Sequence, residues 1–194
     1  MVRILAFAGS SRRDSFNRKL VDIAASGAGK AGAEVTLVNL GEFPMPIINQ
    51  DLEESEGMPE KAREFKELMV SHDGFLIASP EYNSFFSPLL KNALDWASRK
   101  EAADEPPLVA YRGKKAAILA ASPGGFGGMR GLIYLRMLLS GLGVFVLPEQ
   151  VSVPGAFNAF NSQGDLLDQK LHSAVMGLGE KLVEFCEMQI AGKE

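Results

Sequence analysis

Three short segments concentrate the residue types that bind ligands. The first, Gly9-Ser10-Ser11-Arg12-Arg13-Asp14-Ser15-Phe16-Asn17, sets hydroxyls, guanidinium groups and an amide just ahead of a helical pattern. A helix start presents free backbone N–H groups and the positive end of the macrodipole, so a phosphate monoester is the natural guest of such a loop. A capped helix with a basic surface turn has the same composition. The second segment, Ser79-Pro80-Glu81-Tyr82-Asn83-Ser84-Phe85-Phe86-Ser87-Pro88, combines a turn stiffened by proline, a tyrosine that can stack on a flat ring and an amide that both donates and accepts. A heteroaromatic ring with carbonyl and nitrogen edges needs that set, while Phe85 and Phe86 read as packing or as a subunit contact. The third, Ser122-Pro123-Gly124-Gly125-Phe126-Gly127-Gly128-Met129-Arg130-Gly131, lets backbone amides come close to a ligand at little steric cost.

Other chemistries find less support. The chain has no G-x-x-x-x-G-K-S/T loop, and G-x-G-x-x-G fails because Arg130 stands where the third glycine would follow Gly125 and Gly127. His72 and His172 lie far apart and read as surface or helix-end residues, so no metal site is expected. Glu53, Glu54 and Glu56 read as a solvated loop, and Cys186, beside Phe185 and near Met188, as a small buried hydrophobe. No Ser, His and Asp arrangement suggests nucleophilic catalysis.

The elements that must carry these segments alternate between short apolar runs and longer stretches with helical spacing, the βαβα order of a parallel sheet covered on both faces. Ile4 to Ala8 is the first strand, and the helix starting near Asn17 has its stripe at Phe16, Leu20, Ile23, Ala24, Gly27 and Ala31. Val35 to Val38 is the second strand, followed by a long loop from Gly41 to Gly57 and a helix opened by Pro59. Gly74 to Ala78 lacks polar alternation, as a strand buried on both faces should. Ser87 caps the next helix and Pro88 takes its first position. Ala116 to Ala121 is the fourth strand, Leu132 to Leu142 a helix, and Val144 to Leu147 the fifth strand. An irregular stretch from Pro148 to Gly164 precedes a closing helix marked by Leu167, Leu171, Val175, Leu178, Leu182 and Phe185. All three segments then follow carboxyl ends of strands, where open parallel sheets bind ligands.

With 194 residues the chain suits one domain, and a net charge of −4 gives no footprint for nucleic acid or an anionic membrane. Hydrophobic residues at 46% suffice for a core without staples. The lone cysteine suits a reducing compartment, so the cytoplasm is expected. The N-terminal apolar run is too short for a secretory core, and every apolar run is broken well before about 18 residues, so neither export nor a membrane span is expected.

Taken together, ILAFAGSSRRDSFNRKL, SPEYNSFFSPLLKNALDWAS and ASPGGFGGMRG resemble, in order and over nearly the whole chain, the NADPH-dependent FMN reductase family. That family is a branch of the flavodoxin-like fold with quinone, azo and chromate reductase members. The resemblance implies a three-layer αβα sandwich, with a five-stranded parallel sheet in the order 2-1-3-4-5, as one FMN-binding domain over residues 1–194. It implies that Ser10, Arg12, Ser15 and Asn17, with Phe16 beside them, hold the FMN phosphate. Pro80, Glu81, Tyr82 and Asn83 would line the ribityl chain and ring, and Ser122, Gly124 and Gly125 would close the pyrimidine side. Many relatives carry Gly or His where this chain has Ser84, which makes the pocket above the ring this chain's own.

On that basis the expected activity is transfer of hydride from NADPH or NADH to FMN and on to a quinone, free flavin or similar small acceptor, in ping-pong order. Asn83 would orient the ring near N5, and the Gly124 and Gly125 amides would stabilise the reduced flavin. Arg13 or Arg130 would suit the 2′-phosphate of NADPH, and both read equally as solvated surface. A homodimer or homotetramer is expected from the family and from the apolar segment Phe85, Phe86, Leu89 and Leu90. Two alternatives share the fold: a flavodoxin-like electron carrier and a flavin-binding protein without catalytic activity.

Overall fold

The computed structural model describes residues 1–190 of the chain. Its centre is a parallel sheet of five strands, β1 (Arg3–Ala8), β2 (Glu34–Asn39), β3 (Gly74–Ala78), β6 (Lys115–Ala121) and β7 (Phe145–Val153), in the order β2-β1-β3-β6-β7. A two-residue hairpin, β4 (Glu81–Tyr82) and β5 (Phe85–Phe86), leaves the carboxyl end of β3. Because β2 lies on one side of β1 and β3 on the other, the winding reverses between β1 and β3, and the register aligns Ala8 with Ala78 at their shared end. A crevice opens there by topology alone.

The period of two along each strand divides the core. Ile4, Ala6, Leu76, Ala117 and Leu119 face α1 (Phe16–Lys30) and α6 (Gln169–Ile190), meeting Leu20, Ala24, Val175 and Leu182. Leu5, Phe7, Phe75, Ile77 and Ile118 face the other way, onto α3 (Glu60–Ser71), α4 (Pro88–Ala97) and α5 (Met129–Gly141). The expected flavodoxin-like sandwich and strand order are the observed ones.

Several local readings change. The fifth strand does not stop at Leu147: β7 runs on to Val153 through Pro148. Ala116 pairs with Val146 but Ile118 with Gln150, so extra residues bulge out of this edge strand, where a missing N–H is tolerated. The Arg136 guanidinium donates to the Leu147 carbonyl at 2.7 Å and the Pro148 carbonyl at 3.3 Å, satisfying groups the bulge sets free. Helix α5 begins at Met129 rather than Leu132. The loop from Gly41 to Gly57 contains a further helix, α2 (Gln50–Glu56), and is pinned to α4 through the Pro46 carbonyl, which accepts from Asn92 Nδ2 and Trp96 Nε1 at 2.9 and 2.8 Å. Glu53 is not solvated but paired with Arg99 at 2.8 Å, its side chain 16% exposed. His72 does end a helix, but it is buried, with Nδ1 on the Leu68 carbonyl and Nε2 on Thr36 Oγ1. His172 is half-buried near Asp165, and Cys186 is buried.

Candidate functional site

At the carboxyl ends of β1, β3 and β6 lies a cavity of about 150 Å³. Ser10, Arg12, Ser15, Phe16, Asn17, Pro80, Glu81, Tyr82 and Ser122 line it, together with Ala121 and Pro123. Asn83, Gly124 and Gly125 do not line it. A larger groove of about 510 Å³ runs between α1, the loop at Ser162–Asp165 and α6. Its lining mixes Asp14, Asp22 and Asp165 with Lys19 and Lys30, without a common polarity, and it lies away from the switch point. The smaller cavity is the better site because topology and chemistry coincide in it.

The first loop enters α1 through Ser15, whose backbone is extended and whose Oγ accepts from Arg18 N at 3.3 Å. This cap uses the hydroxyl as an acceptor and leaves its O–H as a donor. Among the described residues the backbone N–H groups of Phe16 and Asn17 have no acceptor, as expected at a helix start. The exposed Arg12 guanidinium lies 5.3 Å from the centre of the Phe16 ring and has no carboxylate partner among the described residues. Phe16 is itself stacked on Phe160, with centroids 5.9 Å apart. Hydroxyl donors, free amides and an uncompensated cation thus converge on one wall, the donor set a phosphate dianion requires.

Asn17 also has a structural task. Its side chain is buried, with Nδ2 donating to the Ala121 carbonyl at 2.9 Å and Oδ1 accepting from Ala121 N at 2.8 Å. One N–H and the oxygen of the amide are engaged in fastening α1 to the end of β6, which leaves its second N–H and the backbone N–H of Asn17 for the cavity. Glu81 is likewise committed: its carboxylate pairs with Arg130 and accepts from Gly131 N at 3.2 Å. Arg130, one of two candidates for a nucleotide phosphate, is therefore engaged within the chain.

Tyr82 stands 56% exposed at the rim of the cavity. Beyond it Asn83 and Ser84 form the hairpin turn, with φ of 52° and 68°. Two successive residues in the left-handed region are what a two-residue hairpin matched to strand twist requires, and asparagine is favoured there for that reason alone. Asn83 is exposed at the tip. Ser87 caps α4 through Leu90 N at 3.2 Å and also donates to the Gly9 carbonyl at 2.6 Å, joining the hairpin exit to the first loop. The Ser-Pro pair marks the cap locally, whereas the second bond spans 78 positions and leaves no local signal.

The third loop separates its glycines by role. At Gly127, with φ +60°, a Cβ would lie 2.7 Å from Pro154 N, and at Gly128, with φ +89°, 2.6 Å from the Ala120 Cβ. These two glycines let the loop pack on its own sheet. Gly124 and Gly125 face open space, with only Ser122 Oγ at 3.9 Å from the former. Space around this pair is open to a ligand, although Gly124 itself donates its N–H to Ser122 Oγ at 3.4 Å and accepts from Gly127 N at 3.1 Å.

The cavity has about half the volume at which pockets for drug-sized ligands begin, about 300 Å³. Its size and donor set suit a phosphate group on a short polar chain. Among the described residues no group of three or more His, Cys, Asp or Glu is placed to hold a metal, and no helix is long and apolar enough to cross a membrane.

Comparison with known proteins agrees with this chemistry. Residues 2–158 match the family model described as NADPH-dependent FMN reductase. An NAD(P)H-dependent FMN reductase of Pseudomonas aeruginosa is 37% identical over 175 residues, covering 90% of this chain and 89% of the relative. An NADPH:quinone oxidoreductase of Arabidopsis thaliana is 35% identical, covering 87% and 84%. Among solved structures, the flavoenzyme NAD(P)H:(acceptor) oxidoreductase FerB of Paracoccus denitrificans superposes with a TM-score of 0.78 at 27% identity, covering 97% and 98%.

Proposed function

Because the chain belongs to the NADPH-dependent FMN reductase family, we propose that the cavity at the β1–β3 switch point holds FMN, and that the protein passes hydride from NADPH or NADH to a small acceptor of the quinone or flavin class. When bound, FMN would supply the redox chemistry, and the protein would serve donor and acceptor in turn, in ping-pong order. The observation that carries the reading is the convergence of Ser10, Arg12, Ser15 and the free N–H groups of Phe16 and Asn17 on one wall of the cavity.

The chain's own residues then divide the work. Arg12 and the α1 amides bind the phosphate. Tyr82 and the hairpin would offer the ring a wall, and the amide of Asn83, exposed at the tip, would orient it near N5. Gly125, and Gly124 on exchanging its long 3.4 Å bond to Ser122 Oγ, would bring backbone N–H groups to the pyrimidine side as preorganised donors for the charge of the reduced ring. No side chain is needed as an acid or base.

We place this chemistry in one FMN-binding domain in the cytoplasm, where a lone buried thiol is stable, and in a homodimer or a dimer of dimers. The apolar surface supporting association differs from the one the sequence suggested. Phe86 and Leu90 are core residues, 3% and 0% exposed. Exposed instead are Phe85, stacked on Tyr134 at 4.6 Å, and Met129, Ile133 and Met137 at four-residue steps along α5. A continuous apolar stripe of this kind marks an interface, and it borders the hairpin at the mouth of the cavity.

The deciding experiment is the absorption spectrum of the purified protein, titrated with FMN, followed by anaerobic addition of NADPH or NADH. A bound flavin that bleaches and then reoxidises with a quinone, giving parallel initial-rate plots, is expected. No FMN binding would overturn the reading. Binding without turnover would make the chain an electron carrier.

A further inference from the structure

Helix α5 starts without a cap of its own. The residue at its N-cap, Gly128, has no side chain to offer the first-turn N–H groups, and contact with Ala120 leaves no room for one. The missing acceptor comes from another loop. Glu81, in β4 of the hairpin, places its carboxylate at the helix start and accepts from Gly131 N at 3.2 Å, its side chain only 6% exposed. The same carboxylate pairs with Arg130, whose guanidinium lies 5.1 Å from the centre of the Phe126 ring in the glycine loop. At Gly131 a Cβ would come within 3.2 Å of the Phe85 carbonyl, so the absence of a side chain there brings the hairpin backbone directly against α5. A carboxylate at a helix N-terminus, sheltered and charge-paired, is among the stronger polar contacts a surface site can make.

We infer that Glu81 and Arg130 form a latch that couples the aromatic hairpin after β3 to the glycine loop after β6, and so sets the gap between the two walls that hold the flavin ring. This rests on the FMN reading of the cavity. Arg130 is then a positioning residue, and its guanidinium is not what distinguishes NADPH from NADH. The latch acts on the ring walls and leaves the phosphate wall, built by the first loop, untouched.

The test compares wild type with Glu81→Gln, Arg130→Ala and the double variant, with Arg130→Lys as the milder change should Arg130→Ala fold poorly. Each single variant is expected to weaken FMN about threefold to tenfold, and the double variant no further, because residues acting through one contact are not additive. Riboflavin should lose affinity by the same factor as FMN, and the ratio of KM for NADPH to KM for NADH should stay that of wild type. Arg130→Lys should fall between wild type and Arg130→Ala. In the FMN-free protein, hydrogen exchange at the amides of the hairpin and of residues 124–131 should accelerate together in both single variants.

A rise in KM for NADPH alone, with FMN affinity unchanged, would assign Arg130 to the co-substrate and overturn the latch. Additive losses, or exchange that speeds up in one loop only, would overturn it as well. Failure of the wild type to bind FMN would instead remove the cofactor reading, and the exchange result would still decide whether the two loops are coupled.

Discussion

Replacing Asn83 by alanine tests two things at once, and the structure shows how to separate them. Asn83 and Ser84 occupy the left-handed region at the hairpin turn, where an ordinary L-residue costs about 1 to 2 kcal/mol. Alanine therefore removes the amide and strains the turn that presents it, whereas glycine removes the amide and keeps the turn. One neutral hydrogen bond to the flavin contributes about 0.5 to 1.5 kcal/mol, so Asn83→Gly should weaken FMN by about twofold to twelvefold, since the phosphate contacts of the first loop remain. Flavin reduction should fall further, on the order of a hundredfold, because displacing reacting atoms by about 1 Å acts on the reaction path. Asn83→Ala should show the same kinetic defect and, in addition, about 1 kcal/mol less stability to urea. The assays are an FMN titration, stopped-flow reduction by NADPH at saturating FMN, and urea unfolding of the FMN-free protein. Wild-type reduction by Asn83→Gly alongside slow reduction by Asn83→Ala would show that the residue only shapes the turn, and the assignment of its amide to the flavin would fall.

Three further outcomes follow from other parts of the molecule. Arg12→Ala should lower FMN affinity by about one to two decades, from a charge-assisted bond of about 1.5 to 3 kcal/mol, while leaving riboflavin binding nearly unchanged; equal losses for both would remove the phosphate from this loop. Asn17→Ala strands the buried N–H and carbonyl of Ala121 and should destabilise the fold by about 2 to 4 kcal/mol in urea, with α1 and the end of β6 loosened together in hydrogen exchange. Burial pushes the Cys186 thiol up to about 11, so it should resist thiol reagents at pH 8 until the chain unfolds. The folded state holds this proton more tightly than the unfolded chain, whose thiol titrates near 9, so its contribution is complete below pH 9 and lost as pH rises toward 11. Rapid labelling of the native protein at pH 8 would contradict the burial.

What was legible in the sequence is what neighbouring residues decide. Ser15 and Ser87 cap helices because their hydroxyls reach N–H groups three residues on, Pro88 opens a helix because its ring presets φ, and Gly74–Ala78 is apolar throughout because a central parallel strand is covered on both faces. The alternation of such strands with amphipathic helices was enough for a parallel sheet covered on both faces, the resemblance to the family implied its order, and strand ends dictate where three polar loops converge. The tertiary structure decided how those loops use their residues. Asn17 meets Ala121 across 104 positions and Glu81 meets Gly131 across 50, so no local pattern could show that two apparent ligand groups are fastened to the chain itself. The same distance effect carried β7 past Pro148, since a bulge on an edge strand tolerates a proline that ends a strand read in isolation, and turned Glu53 from a loop charge into the partner of Arg99. Backbone geometry and capping act over a few residues and leave their mark in the order of the letters, whereas polar side chains are satisfied by whatever the folded chain brings within about 3 Å of them.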